Sequence, residues 1–265
     1  MNQVVGRSAP GNEELAWQHA MRIAFFGGSF DPPHLGHLAI ARAARDAFHL
    51  NAVLFAPVGA QPLKPEGSAA GFEDRLAMTR LAIKGEPGFA VSLADAPKHP
   101  GRGSPQKTPN YSLETLHSLR AEFNPETALY CLMGADSFFG LRHWHRAAEI
   151  PYAAALIVAS RPGQPLDGLK AALPEGLTLE PSPSGDRRAA GIEVRAFQVV
   201  NPAGEHAPFY LLPGLDVEIS ATEIREAIRE AAGPEPNGAP PDPATIQTML
   251  PAAVAEYIRN HGLYR

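Results

Sequence analysis

Short apolar segments alternate with helical segments from residue 22 to residue 159, and this alternation restricts the chain to few folds. Five segments have the length and composition of buried strands: 22–26, 52–57, 89–93, 128–133 and 153–159. Apolar residues at helical spacing predict helices between them, over 34–48, 72–84, 112–123 and, as one or two short helices, 136–150. Strands separated by helices predict an α/β fold, a Rossmann-like doubly wound parallel sheet with helices on both faces. A ligand crevice is expected at the carboxyl ends of the strands, where the strand order reverses.

The part of the chain after residue 160 has a less regular pattern. Strand fragments are predicted at 192–200 and 209–212, and a helix over 220–231. A final helix is predicted from near Pro251, at its first position, to Gly262, a residue type that commonly ends helices. These elements predict a single domain over 21–265, with a small C-terminal helical part over about 220–265.

Three loops and the first twenty residues carry no pattern that indicates chemistry. Residues 1–20 are polar and punctuated by glycine and proline, so we expect a disordered extension, and translation could start at Met1 or at Met21. The loops 97–108, 164–190 and 233–242 are assigned no function.

Composition and charge exclude several classes of protein. A net charge of −5 argues against a general nucleic-acid binder, which carries a basic excess. One cysteine, Cys131, excludes a disulfide framework and a cysteine-based zinc cluster. No apolar run reaches the ~18 to 20 residues of a membrane helix, and the first residues do not form a secretory signal. We therefore expect a cytoplasmic protein without nucleic-acid or membrane partners; its oligomeric state is not indicated.

The segment after the first strand, residues 27–37, is the most informative part of the sequence. Gly27 and Gly28 would let the backbone approach a ligand closely, and the amides that begin the next helix suit phosphate. His34 and His37 lie three residues apart, so both imidazoles share one face of that helix and could donate hydrogen bonds to a polyphosphate. Metal binding and simple helix capping are the alternatives, although no third metal ligand follows at a suitable spacing.

Two motifs resemble signatures of the nucleotidyltransferase branch of the HIGH superfamily. Residues 28–37 match G-x-F-D-P-x-H-x-G-H, and residues 219–225 match I-S-x-T-x-I-R. The resemblance implies that His34 and His37 contact the α- and β-phosphates of ATP and that Ser220 and Arg225 hold its phosphates. Ser220 and Glu223 could also form a helix capping box, which would give them a purely structural role.

From about Met21 to Arg265, the sequence resembles the bacterial nicotinate-nucleotide adenylyltransferases. The resemblance is carried by the segments 109–112, 133–137, 161–163 and 262–265 and by Trp144. Three positions depart from the family pattern: Leu63 stands where a histidine is usual, Ser112 replaces threonine, and His145 replaces a tyrosine. Leu63 leaves only Lys64 of that pair for a phosphate contact.

The resemblance implies adenylyl transfer from ATP to nicotinate mononucleotide, which gives deamido-NAD and pyrophosphate in NAD biosynthesis. It implies Mg²⁺ as cofactor, bound mainly through the ATP phosphates and by no direct protein ligands. The expected catalytic residues are His34, His37, Lys64, Ser220 and Arg225. The expected ATP-binding residues are Gly27, Gly28, Ser29, Phe30, His34, His37, Gly134, Asp136, Arg161, Ile219, Ser220 and Arg225. The expected residues for nicotinate mononucleotide are Tyr111, Ser112, Asp136, Trp144 and His145.

The same residues also fit alternative functions. Nicotinamide mononucleotide or phosphopantetheine could be the acceptor, and the chain could be a non-catalytic nucleotide-binding sensor or a two-histidine metal-binding module. Trp144 could serve core packing, Asp136 could cap a helix, and Arg161 could be a solvated loop charge.

Overall fold

The computed structural model describes residues 4–5, 21–63, 66–98, 108–160, 166–215, 219–232, 246 and 248–265. Within these ranges, none of the helices has both the length and the apolar character needed to cross a membrane. The expected disordered extension, 1–20, lies outside the described residues except for Val4–Val5, and its disorder stays a prediction. The loop 233–242 and most of the loop 97–108 also lie outside them.

Ten strands and eight α-helices follow one another along the described chain. The strands are β1 Val4–Val5, β2 Arg22–Gly28, β3 Ala52–Pro57, β4 Phe89–Ser92, β5 Ala128–Gly134, β6 Ala155–Ala159, β7 Thr178–Pro181, β8 Arg187–Ala189, β9 Ile192–Val200 and β10 His206–Leu212. The helices are α1 Leu35–Phe48, α2 Phe72–Ala82, α3 Ser112–Glu122, α4 Ala135–Phe139, α5 Ile150–Ala153, α6 Leu166–Ala171, α7 Ala221–Ala232 and α8 Ala252–His261. Two 3₁₀ turns, Leu141–His143 and Ala147–Glu149, lie between α4 and α5.

The strands form one sheet in the order β1-β4-β3-β2-β5-β6-β10-β9-β7, with β8 paired to β9. Every neighbouring pair from β1 to β10 in this order is parallel. After β2 the chain builds outward through β3 and β4, then returns to the other side of β2 with β5. The strand order therefore reverses between β2 and β5, which is where a doubly wound sheet opens a ligand crevice.

The predicted α/β fold is confirmed, with several corrections. Strand β2 continues through Gly28, and β6 begins at Ala155 because the preceding residues complete helix α5. Pro251 precedes the first residue of α8 instead of occupying it. The sheet is not purely parallel, because β7, β8 and β9 add an antiparallel edge. Strands β7 and β8 are exposed along most of their length, so they lack the apolar pattern that predicts a strand.

The two faces of the sheet carry separate halves of the core. All six residues of β3 are buried, and successive side chains point to opposite faces. Leu54 packs with α3 and α5 residues on one face, whereas Val53 and Phe55 pack with α1 residues on the other. A third, smaller core joins α2, α7 and α8 through Met78, Ile224, Val254, Ala255, Ile258 and Tyr264. The third core attaches the C-terminal helical part to the sheet domain.

Replacement of Leu54 by alanine is expected to lower the free energy of unfolding by about 2–5 kcal/mol, because the side chain is 2% exposed and its removal leaves a cavity. Leu63→Ala is the matched control, since Leu63 is 57% exposed and the same change there should alter unfolding by less than about 0.5 kcal/mol. Urea unfolding followed by circular dichroism measures both. Equal destabilisation of the two variants would contradict the assignment of Leu54 to the core.

Candidate active site

A cleft of about 940 Å³ opens at the carboxyl ends of β2, β5 and β6. It is lined by the β2–α1 turn (residues 27–34), the segments that follow β3 and β5, and the first residues of α3 and α7. The cleft brings together every described residue that the sequence singled out: Gly27, Gly28, Ser29, Phe30, His34, His37, Tyr111, Ser112, Gly134, Asp136, Trp144, His145, Ile219, Ser220 and Arg225. Lys64 and Arg161 lie outside the described residues, and their roles stay predictions.

Packing within the β2–α1 turn determines where the histidines lie. A Cβ atom on Gly27 would lie 2.7 Å from the Phe25 ring, so the chain's own packing requires glycine at this position. Phe30, in the left-handed region with φ of 48°, is fully buried and packs against the Phe26 and Phe55 rings, which also contact each other. The Phe30 ring also meets the His37 imidazole edge-on, with the ring centroids 4.9 Å apart. These contacts hold the His37 ring against the wall of the cleft.

His34 and His37 form a close pair at the start of α1. Their ring centroids are 3.7 Å apart, and the backbone N–H of His34 donates to Nδ1 of His37 at 3.2 Å. Since Nδ1 of a neutral His37 is an acceptor, its proton resides on Nε2, which is then a donor. Nδ1 of His34 is buried without a hydrogen-bond partner among the described residues. A buried polar atom of this kind at a cleft wall indicates a place for a ligand.

Burial keeps both imidazoles neutral at pH 7. Burial lowers the pKa of His34 to about 4. Burial, and to a lesser extent the neighbouring His34, lowers the pKa of His37 well below its usual value. Each ring can therefore donate one hydrogen bond without carrying a charge. Bound phosphate groups would place negative charge beside these rings.

Arg225 joins the second sequence motif to the first. One guanidinium nitrogen, Nη1, donates to the carbonyl oxygen of Asp31 at 2.8 Å, and Nη2 donates to Thr222 Oγ1 at 3.2 Å. The Ser220 hydroxyl accepts the backbone N–H of Thr222 at 3.2 Å, which caps the start of α7. An arginine has five N–H donors, so Arg225 keeps donors for a ligand in the cleft.

Two supporting residues, Asp31 and Arg75, were given no role by the sequence, although Asp31 belongs to the first motif. The Asp31 carboxylate accepts the backbone N–H groups of Ala69 and Ala70 at 2.6 and 3.1 Å. The Arg75 guanidinium is buried and donates to the carbonyl oxygens of Ser29, Val58 and Ala70. The sequence does carry a signal for Arg75, because it lies on the apolar face of α2 beside Leu76, where a charge needs partners.

The other end of the cleft carries aromatic rings. The Tyr111 and His145 rings pack with centroids 4.3 Å apart, and His145 Nε2 lies 3.6 Å from Glu114 Oε1. Trp144 lines the cleft and also packs against the core, so its packing role and its pocket role are compatible. Asp136 lies exposed in the first turn of α4.

Asp95 is a further buried group in the cleft that was not predicted from the sequence. Thr115 Oγ1 donates to its carboxylate at 2.8 Å, which links the end of β4 to α3. Burial raises the pKa of Asp95 to about 6, although the bond from Thr115 acts in the opposite direction. Among the residues that the structure describes, no group of three or more histidine, cysteine, aspartate or glutamate side chains could hold a metal ion.

Protonation of His34 is expected to weaken the folded protein at acid pH. Because its pKa is about 4 when folded and 6.5 when unfolded, the unfolded chain binds more protons between these values. The free energy of unfolding therefore falls as the pH drops through this window, by about 2 kcal/mol between pH 7 and 4.5 for this group. Urea unfolding of the ligand-free protein should show a smaller pH-dependent loss in His34→Asn than in the wild type.

Asp95 acts in the opposite direction, since its raised pKa makes the folded protein bind more protons between pH 3.8 and about 6. This contribution is present in both proteins and cancels when the wild type and His34→Asn are compared. The same loss of stability in both would contradict the neutral, buried state of His34.

Comparison with known proteins places the chain in a family. A family model described as cytidylyltransferase-like matches residues 25–227. Two relatives named probable nicotinate-nucleotide adenylyltransferase are 38% identical, from Laribacter hongkongensis, and 37% identical, from Stenotrophomonas maltophilia. The matches cover 92% of this chain and 94% of the first relative, and 93% of this chain and 97% of the second.

A solved structure shares the fold. It is titled Plasmodium falciparum nicotinic acid mononucleotide adenylyltransferase complexed with NaAD, and its TM-score is 0.62 at 16% identity, with 93% of this chain and 98% of that chain covered. The resemblance predicted from the two motifs is thus confirmed. The chain belongs to the cytidylyltransferase-like family and, within it, to the nicotinate-nucleotide adenylyltransferases.

Proposed function

We propose that the protein transfers the adenylyl group of ATP to nicotinate mononucleotide, which gives deamido-NAD and pyrophosphate. One observation carries the proposal: a single cleft is lined by hydrogen-bond donors suited to phosphate and by aromatic rings. His34, His37 and Arg225 are the donors, at what we call the phosphate end, and Tyr111 and Trp144 are among the rings, at what we call the aromatic end. The cleft volume of about 940 Å³ lies at the upper end of the range for small-molecule sites, as two nucleotides require. The names of the relatives support the same reaction.

The chemistry requires alignment and charge stabilisation. A phosphate oxygen of nicotinate mononucleotide forms a bond to the α-phosphorus of ATP, while the bond from that phosphorus to the bridging oxygen of the β-phosphate breaks. The electron pair of the broken bond leaves with pyrophosphate. The attacking oxygen is ionised at neutral pH, so no general base is needed. Catalysis then depends on in-line placement and on donors that meet the growing charge of the leaving group.

His34 and His37 are suited to donate to the phosphates of ATP. Their neutral rings each offer one N–H, and the first turn of α1 adds backbone donors with the positive end of the helix dipole. Ser220 and Arg225 hold the remaining phosphate oxygens from α7, and Lys64 adds a cation from the loop after β3. The bond from Arg225 to the Asp31 carbonyl keeps the two groups of donors at a constant separation.

Magnesium is the proposed metal, bound mainly through ATP oxygens and water. Mg²⁺ prefers oxygen ligands and commonly retains several waters, which fits a cleft whose described residues supply no dense carboxylate cluster. When bound, it neutralises charge on the phosphates. We place the reaction in the cytoplasm.

Recognition of the pyridine ring is assigned to the aromatic end. Tyr111 and His145 already form one packed wall, and Trp144 provides an indole face for stacking. The backbone N–H groups of Ser112, at the start of α3, and of His145 would donate to the pyridine carboxylate, whereas the N–H of Trp144 already donates to the Leu141 carbonyl oxygen at 2.9 Å. An amide in place of the carboxylate loses the charge that a helix N-terminus favours, so the acid should be preferred. Asp136 is proposed to bind ribose hydroxyl groups.

His37→Ala is expected to reduce the rate of pyrophosphate release from ATP, Mg²⁺ and nicotinate mononucleotide by about 10²–10³-fold, because a donor to the developing charge is lost. The matched control is His206→Ala. His206 is exposed at the start of β10 and does not line the cleft. Both variants should give the wild-type circular dichroism spectrum. Near-normal turnover of His37→Ala would refute its catalytic role.

Trp144→Ala is expected to raise KM for nicotinate mononucleotide about tenfold or more, since base–aromatic stacking contributes about 1–3 kcal/mol. KM for ATP in the same variant is the internal control and should change little. Wild-type turnover with nicotinamide mononucleotide and with phosphopantetheine is measured in parallel. Faster turnover of either than of the acid would assign a different acceptor to the cleft.

A further inference from the structure

Tyr264, which follows helix α8, reaches the turn that carries His34. Its hydroxyl donates to Asp31 Oδ1 at 2.7 Å, across 233 residues of sequence. The tyrosine is 8% exposed and Asp31 is 5% exposed, so water does not compete for this bond. Tyr264 is not among the residues that line the cleft, and the reaction proposed above gives it no role.

Asp31 is the point at which four segments of the chain meet. Its carboxylate accepts the Tyr264 hydroxyl and the backbone N–H groups of Ala69 and Ala70. Its carbonyl oxygen accepts the guanidinium of Arg225. The β2–α1 turn is thereby tied to the loop before α2, to α7 and to the residues after α8. His34 lies three positions after Asp31, with two prolines between them.

The hydrogen bond from Tyr264 is a stable part of this network. Burial raises the pKa of Tyr264, and the bond to Asp31 raises it further, so the phenol remains protonated and continues to donate. The nearby positive charges of Arg225 and Arg75 lower the pKa of the phenol, but by less than burial and the bond to Asp31 raise it. A buried carboxylate needs its donors, because each lost partner leaves part of a charge without compensation.

We propose that Tyr264 is a positioning residue for adenylyl transfer. By donating to the Asp31 carboxylate, it fixes the position of the β2–α1 turn relative to Arg225, so that both can contact the bound phosphates. This inference rests on the proposed function, because it assigns Tyr264 to the same site. The effect should fall on the chemical step, since the groups that Asp31 places, His34 and Arg225, meet the charge of the transition state.

Tyr264→Phe is the decisive variant, because it keeps the ring in the small core and removes only the donor. We expect kcat to fall about tenfold, equivalent to about 1.4 kcal/mol of transition-state stabilisation, with KM for each substrate within about threefold of the wild type. Val254→Ala is the matched control. Val254 is fully buried in the same core on α8, so this variant loosens the packing and leaves the bond to Asp31 intact. Its kcat should remain near that of the wild type.

Hydrogen–deuterium exchange of the ligand-free proteins gives a readout that does not depend on activity. Peptides covering 27–35 and 66–71 should exchange faster in Tyr264→Phe than in Val254→Ala. Unchanged exchange in these peptides, or an equal fall of kcat in both variants, would overturn the positioning role. Failure of the wild type to turn over nicotinate mononucleotide would instead contradict the proposed function, and the exchange measurement would still decide the inference.

Discussion

Asp31 lies within the β2–α1 turn and Arg75 packs against that turn from α2, and the position of the phosphate end of the cleft depends on the bonds that these two residues make. Arg75 holds the carbonyl oxygens of Ser29, Val58 and Ala70, and Asp31 holds the N–H groups of Ala69 and Ala70. Arg75 and Asp31 therefore tie the turn, at Ser29 and Asp31, to Val58 and to Ala69 and Ala70, where burial makes each bond costly to break. These bonds fix the backbone that leads to His34 and leave its ring to line the cleft.

The sequence allowed prediction wherever local pattern and chemistry coincided. Strand β3 was predicted with both ends correct because all six residues are buried and apolar, Asn51 precedes them, and a loop rich in proline and glycine follows Pro57. The two motifs led to residues that share one cleft, although 194 positions separate Asp31 from Arg225. The antiparallel strands β7 and β8 could not be predicted, since they are stabilised by pairing with β9 and not by an apolar face. The bond from Tyr264 to Asp31 could not be predicted either, because the sequence pattern around one residue gives no indication of contact with the other, 233 positions away.

The wall of the cleft carries a buried imidazole nitrogen, Nδ1 of His34, that has no hydrogen-bond partner among the described residues, and this is consistent with a site for a polar ligand. Burial favours neutral imidazoles, yet Nδ1 of His34 lacks a partner among the described residues. A phosphate oxygen near these rings would provide an acceptor for N–H groups and would favour protonation. Binding of polyphosphate and proton uptake by the pair are therefore thermodynamically linked, and each strengthens the other.

The bond from the His34 backbone to Nδ1 of His37 gives position 37 two functions on two different nitrogens. Nδ1 completes the first turn of α1, and Nε2–H is left for the ligand. Asparagine can replace Nδ1 as an acceptor, because its Oδ1 lies about as far along the side chain. Glutamine can replace Nε2–H as a donor, because its Nε2 extends about as far as that nitrogen. Asparagine at position 37 could therefore keep the hydrogen bond at the start of α1, and glutamine at this position could reach the phosphate. Only an imidazole supplies both from a single side chain.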